Sequence, residues 1–257
     1  RRQRQMCIRD RILLHLLTRD NHALMVWASE RLVRPVHRAL AVLNDHLPFS
    51  VAELLIGLAV ITVLVYIIYT IIKLIRCGGR LKRLYAAVIN LLAAGLAVYA
   101  GFCMLWGVYY YGDDFMTRSG LKNDNISVEQ LETVTEYFAA LVNEYSSQVP
   151  RDADGNYVAD RDAILRRSNE VYANVEETLP CLSGPAVRAK GVYFSRVMSY
   201  TDFTGFFFPF TAEANVNTDF PPALFASTVA HELAHQRSVA KEQEANFAAV
   251  LASLEYG

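Results

Sequence analysis

The sequence predicts a mainly α chain: a transmembrane helical hairpin followed by a helix-rich α+β domain with a small edge sheet. Three observations carry this expectation. Positions 54–72 and 84–111 are uncharged, predominantly apolar runs of 19 and 28 residues. An HExxH string, His231-Glu232-Leu233-Ala234-His235, lies in a helical pattern near the end of the chain. Between them, aromatic and β-branched residues bounded by Gly205 and Pro209 read as strand.

The chain begins with Arg1, and the string RRQRQMCIRDR at 1–11 matches no structural pattern, so it reads as non-native sequence. Positions 12–48 read as an amphipathic juxtamembrane segment, with Arg31, Arg34 and Arg38 along one side of a helix. Two transmembrane helices follow within 49–111, at about 51–75 and 84–110. Each is long enough for a hydrocarbon core of about 30 Å, and core helices of soluble proteins seldom lack a polar face over such a length. Asn90 inside the second span is expected to hydrogen-bond between the helices. The connecting loop 76–83 holds four basic residues and no acid, which places it on the cytoplasmic side. The chain then reads as a multi-pass cell-membrane protein whose positions 112–257 are extracytoplasmic. Trp106, Tyr109, Tyr110 and Tyr111 are expected to form an aromatic belt at the outer surface of the bilayer.

The near-neutral total hides an asymmetry. Positions 1–111 carry 14 Lys+Arg against 5 Asp+Glu, a balance of +9; positions 112–257 carry 11 against 21, a balance of −10. An acidic outer domain repels phosphates, so nucleic acid is excluded as a partner. Of Cys7, Cys77, Cys103 and Cys181, only Cys181 falls in the outer domain, so no disulfide forms within it and Cys181 is a packing residue.

In that domain Ser127 and Gln130 form a capping box. Leu131, Val134, Phe138, Leu141, Val142 and Tyr145 then recur at helical spacing to about 148. Asp152, Asp154 and Asn156 alternate like calcium ligands, but an EF-hand needs Gly and Glu where Tyr157 and Ala163 stand. An Asp-Gly turn is the reading adopted. A second helix is expected over about 160–178. The sequon Asn125-Ile126-Ser127 is read as chance. The stretch 204–217 reads as strand, and Pro209 marks it as an edge. Its Phe cluster suits either a substrate-binding edge or a strand feeding the core. Glu213 and Asn215 either line the cleft or cap a turn, and no chemistry is assigned to them. Pro221 and Pro222 open the helix of the HExxH string, where Pro is tolerated. Ser227 and Thr228 lie one turn before His231, within reach of the site.

Two histidines four apart lie one above the other on a helix and can bind a single zinc ion. Glu232 is placed to take a proton from water activated by the metal. The string fixes only three positions, so a chance match on a solvated helix is the bland alternative. Against it, no histidine other than these two occurs after His46. A third ligand is needed downstream. The pattern HExxHxxGxxH fails, with Ser238 and Lys241 at its Gly and His positions. Glu242 and Glu244 are two residues apart, roughly 200° around a helix, and cannot both face one ion. Glu244 precedes Phe247 and Leu251 by three and seven residues, on the expected buried face, so Glu244 is assigned as ligand and Glu242 as a solvated charge. Glu255 is a weaker candidate. The string lies in no apolar run, which argues against an intramembrane protease.

Three stretches, LPFSVAELL at 47–55, SRVMSYTDFTGFFFPFTAEANVN at 195–217 and TVAHELAHQRSVAKEQEANFAAVLASL at 228–254, resemble an uncharacterised bacterial family. That family is a domain of unknown function in multi-pass membrane proteins with an extracytoplasmic HExxHQ site. The resemblance covers about 40–257 and implies a zincin-like metallopeptidase with His231, His235 and Glu244 on Zn2+ and Glu232 catalytic. Where the resemblance implies Gly, this chain carries Ser238. The expected function is zinc-dependent hydrolysis of a peptide or protein substrate by a membrane-anchored enzyme. The rival expectation is a zinc-binding membrane sensor or scaffold without catalysis. A zincin lobe extends beyond the helix that follows HExxH, so the metallopeptidase domain at 112–257 reads as C-terminally truncated and the chain as a fragment.

Overall fold

The computed structural model describes residues 18–122 and 126–256. Positions 1–11, Cys7 and Asn125 of the sequon lie outside them.

Helix α1 (His22–Ala28) opens at Asn21, whose side chain accepts the Leu24 N–H. It runs through a π turn (Ser29–Val33) into α2 (Arg34–Asp45). Pro35 cannot donate a backbone hydrogen bond and its ring crowds the preceding turn; the widened π turn absorbs both. The buried spine of α2 is His37, Ala41 and Asn44. The arginines do not form a free stripe: Arg34 pairs with Glu30 at 2.7 Å and Arg38 donates to the Ser183 carbonyl at 2.6 Å.

Helices α3 (Val51–Arg76) and α4 (Arg80–Leu105) are long and apolar enough to cross a membrane. Only 0 % and 11 % of their most apolar windows are buried, which sets them apart from core helices. Gly79, at φ 73°, makes the tight turn between them. Asn90 Nδ2 donates to the Tyr66 hydroxyl at 2.9 Å, the interhelix bond expected of it. Helix α4 ends at Leu105, earlier than the sequence suggests, and a 3-10 turn (Gly107–Tyr110) follows. The expected aromatic belt is half corrected. Trp106 and Tyr109 are buried, leaving only Tyr110 and Tyr111 at the surface. Trp106 packs on Phe207 at 4.8 Å between centroids, and the His37 ring meets Phe207 at 5.5 Å.

Helix α5 (Phe115–Ser119) is short, and α6 (Val128–Ser146) carries the expected capping box yet buries no residue. The Asp-Gly turn is present: Asp152 Oδ1 accepts from the Asp154 and Asn156 amides, and Gly155 has φ 82°. The helix expected over 160–178 is instead α7 (Arg161–Arg167), a 3-10 turn (Ser168–Glu170) and α8 (Val175–Thr178). In the broken stretch the buried Tyr172 donates its hydroxyl to the Ala230 carbonyl at 2.9 Å.

A three-stranded sheet of β1 (Lys190–Gly191), β2 (Gly205–Phe208) and β3 (Glu213–Val216) has the order β1-β3-β2. Strand β1 is parallel and β2 antiparallel to the fully buried β3. Strand β2 is therefore an edge, as expected from Pro209. A short helix α9 (Ser195–Ser199) lies between β1 and β2. Of two C-terminal helices, α10 (Pro222–Gln236) packs over β2 and β3, and α11 (Glu242–Tyr256) packs against α10 and α8. Val216, Phe225, Val229, Leu233 and Ala248 share one buried core. Each large aliphatic or aromatic side chain there contributes roughly 1.5–3 kcal/mol.

Glu213 joins the sheet to α3. Its carboxylate accepts from the Val51 and Ala52 amides at 3.1 and 2.7 Å and from Lys190 Nζ at 2.8 Å. A helix N-terminus leaves such amides without partners and attracts negative charge, so Glu213 caps the helix rather than lining a cleft. Ser50 Oγ donates to Asn215 Oδ1 at 2.6 Å beside it.

His37 is 3 % exposed, and its Nε2 has no partner. Burial lowers its pKa to about 4, with only partial opposition from a backbone hydrogen bond at Pro209. The unfolded chain then binds more protons than the folded one between about pH 6.5 and pH 4, so stability falls as pH drops through that window, by up to about 3 kcal/mol. Thermal melts of the solubilised protein are expected to show this loss, and His37→Phe to flatten it. An unchanged slope in the variant would remove His37 as the cause.

Candidate metal centre

Helix α10 has Pro222 in its first turn and turns Phe225, Val229 and Leu233 into the core. That rotation leaves His231 and His235 stacked toward α11 and β2. His235 Nδ1 donates to the Val239 carbonyl at 2.7 Å, and His231 Nδ1 donates to Asn246 Oδ1 at 2.8 Å. The Val239 carbonyl can only accept, which fixes the His235 tautomer with its Nε2 lone pair inward, and the bond to Asn246 gives His231 the same tautomer when its Nδ1 donates. The two Nε2 atoms lie 3.0 Å apart. Burial first, and the nearby His231, hold His235 below its ordinary pKa, in the neutral state a ligand requires, against the opposing bond to Val239.

The turn after α10 decides the third member. Ser238 adopts φ 66°, the left-handed conformation that favours Gly. This is the position where the resemblance implied glycine. Arg118 clamps the turn, donating to the Ser238 and Cys181 carbonyls at 2.7 Å each. The buried Arg237 stacks on Tyr172 at 4.2 Å and pairs with Glu176 at 3.1 Å. Lys241 pairs with Asp114 at 2.5 Å. Hydrogen bonds from Lys241 and then Thr117 hold the Asp114 carboxyl at about 2.

The chain leaves this turn with Glu242 as the first residue of α11. Glu242 Oε2 lies 3.1 Å from His231 Nε2, and Oε1 lies 3.6 Å from His235 Nε2. Glu244, the expected third ligand, points elsewhere. It is buried, its Oε2 accepts the Phe115 N–H at 3.0 Å, and its Oε1 is 3.7 Å from Lys241 Nζ. Glu255 lies near the far end of α11, about 20 Å along the helix. The sequence reading placed Glu244 on the buried face of α11 and Glu242 in solvent, and both lie so; the histidine pair meets the exposed Glu242 at the start of the helix, while the buried face carries Glu244 with Ala245, Ala248 and Ala252 into the core. Ser227 and Thr228 also do not support the site, because both hydroxyls bond to the Leu224 carbonyl.

The donor set fits a divalent cation. Ligands on a tetrahedral zinc, with bonds near 2.0–2.1 Å, are separated by about 3.3 Å; the two Nε2 atoms are 3.0 Å apart, Glu242 Oε2 is 3.1 Å from His231 Nε2, and one ligand atom from each of the three residues lies within 4.8 Å of the others. Two facing Nε2 lone pairs at the observed spacing repel unless a proton or cation lies between them. Among the described residues this His231–His235–Glu242 group could supply three ligands to one ion.

Glu232 stands beside the group, 4 % exposed, with Oε2 unpartnered. Burial, and next the charge of Glu242, push its carboxyl up to about 8. The start of β2 covers it so closely that a Cβ on Gly205 would lie 2.6 Å from Glu232 Oε1. A cavity of about 370 Å³ runs along β2 past Glu232, His231, His235 and Glu242. A larger groove of about 1050 Å³ separates Phe138, Leu141 and Val142 of α6 from Val250 and Leu254 of α11, and reaches His231 and Glu242. Sequence reasoning weighed Glu242 and set it aside as a solvated charge, and it gave Asn246 and Gly205 no role at the site; for Gly205 the local signal was a glycine opening an aromatic strand.

The two glutamates differ in what they do for the fold. Glu244→Gln is expected to lower stability by about 1–3 kcal/mol, since it weakens a buried charge-assisted bond. Glu242→Gln, on a side chain 73 % exposed, is expected to stay within about 0.5 kcal/mol in the metal-free protein. Denaturant melts check both; equal losses would contradict the assignment.

No curated protein and no solved structure matches the chain. A family model does, over residues 29–256, and its description is "Protein of unknown function (DUF3810)". The matched stretch takes in α2, both long apolar helices, the sheet and the whole His231–His235–Glu242 group, and the chain belongs to this DUF3810 family.

Proposed function

We propose that this chain is a membrane-anchored zinc peptidase whose site faces the extracytoplasmic side. The observation that carries the reading is the convergence of His231 Nε2, His235 Nε2 and the Glu242 carboxylate beside the unpartnered oxygen of Glu232. His231, His235 and Glu242 would hold the ion. Zinc, when bound, supplies Lewis acidity toward a water molecule and toward a peptide carbonyl.

The remaining work falls to the chain. Among the described residues three protein ligands would hold the ion, a number that suits a catalytic rather than a closed structural site. Glu232 accepts a proton from the attacking water and returns it to the leaving amine. The backbone of Gly205 holds that carboxylate in place. Asn246 and the Val239 carbonyl orient the two imidazoles. The free edge of β2 offers its backbone to an extended peptide along the cavity shared with Glu232. Positive charge in loop 76–83 supports an outward-facing site.

The test uses the full chain in lipid nanodiscs with a peptide library read by mass spectrometry. Zinc-loaded wild type is expected to cleave. Glu232→Gln is expected to keep its zinc and lose turnover by about 10²–10⁴-fold. Gly205→Ala is expected to keep zinc and lose turnover through displacement of Glu232. Cleavage undiminished in Glu232→Gln would overturn the role of that residue, and no cleavage by the zinc-loaded wild type would overturn the peptidase reading.

A further inference from the structure

A second surface stands out from the site. Residues 193–203 carry five large apolar or aromatic side chains turned outward: Tyr193 is 86 % exposed, Tyr200 80 %, Val197 61 %, and Phe194 and Phe203 60 % each. Only Arg196 and Asp202 are charged in this stretch, and they oppose each other in sign. A contiguous patch of this kind on a protein surface marks an interaction site.

Its height along the hairpin is fixed by hydrogen bonds. The Glu53 carboxylate accepts the Tyr193 and Phe194 amides at 2.9 and 2.7 Å. Glu53 is in the first turn of α3, and the uncharged run begins at the next residue. About 20 residues of helix fill a hydrocarbon core of about 30 Å, so Glu53 stands at the boundary of that core. Helix α4 gives the same level independently. Counting about 20 residues from Leu84 reaches Cys103, and Phe210 of the β2–β3 turn lies against Gly101, where a Cβ would meet its Cε1 at 2.8 Å. Aromatic rings concentrate at the membrane–water interface because they have both apolar faces and a polarisable or hydrogen-bonding edge.

We infer that residues 193–203, including α9, are seated in the interfacial layer of the leaflet next to the outer end of the hairpin. The inference rests on the membrane reading given above and adds a specific lipid-facing surface to it. Phe203 continues into β2 and lines the same cavity as Glu232 and the histidine pair. The candidate metal centre therefore opens at the lipid surface, within reach of polypeptide that leaves or lies on the bilayer.

The test places a tryptophan at Tyr200, whose ring is free of the fold, and another at Leu64, midway along α3 and 54 % exposed. Full-chain protein is placed in nanodiscs of phosphatidylcholine brominated near either the headgroup end or the tail end of the acyl chains. The signal of the parent, from Trp27 and Trp106, is subtracted. Tyr200→Trp is expected to lose more than half of its emission to headgroup-end bromines, less to tail-end bromines, and little to aqueous iodide. Leu64→Trp is expected to respond most to tail-end bromines. Should Leu64→Trp respond while Tyr200→Trp is quenched by iodide alone, the loop faces water and the inference falls with the membrane reading intact. Quenching of Tyr200→Trp by neither agent, in discs holding one or several copies, would mean protein covers the loop and would also overturn it. If Leu64→Trp itself escapes the bromines, the hairpin reading fails first.

Discussion

The close packing of α10 against α11 determines where Glu242 falls, and most of the site follows from that. Alanines at 245, 248, 249 and 252 are buried, and small side chains let two helices approach closely. With that spacing set, the connecting turn has one way to close. Ser238 takes the left-handed conformation, Arg118 and Lys241 tie the turn to α5 and its N-cap Asp114, and Arg237 ties it to Glu176 of α8. A slip of one residue in α11 would rotate the carboxylate by about 100° and remove it from the histidine pair. The turn is thus as much part of the centre as the ligands are.

A second constraint links the site to the hairpin. Glu213 caps α3 from within the sheet, Ser50 bonds to Asn215, and Glu53 holds the loop before β2. Trp106, immediately after α4, lies between Phe207 of β2 and His235, at 4.8 and 5.8 Å between centroids. Helix α3 is therefore held to the central strand β3 and to the loop at 193–194, and α4 leads into Trp106, which touches both the edge strand and a histidine of the centre. Where the proposed bilayer lies relative to the site is set by these bonds and contacts.

Much of this was legible in the amino-acid order, and the division has a physical cause. The long apolar helices, the Ser127 capping box, the Asp-Gly turn and the histidine pair are local patterns with a fixed period or spacing, and they read directly. Pro209 likewise pointed to an edge strand. What failed depended on partners distant in sequence. Glu244 does lie on the buried face of α11, where Leu251 also packs, but the histidine pair meets the exposed Glu242 at the start of that helix, which the pattern of apolar residues does not show. Trp106 and Tyr109 read as lipid-facing aromatics, yet His37 and Phe207 draw them into the protein. Tyr172 reaching Ala230 accompanies a break that helical periodicity over 160–178 does not show.

The group brings together paired imidazoles, one carboxylate beside them and a second, buried carboxyl with an unpartnered oxygen, and on these the proposed metal site rests. Anomalous scattering at the zinc edge, measured on crystals of the zinc-loaded full chain, tests this most directly. The account predicts one strong peak about 2.1 Å from His231 Nε2, His235 Nε2 and a Glu242 oxygen, with Glu244 still bonded to the Phe115 amide. A peak bound by Glu244 instead, or zinc elsewhere with the histidine pair unligated, would contradict it.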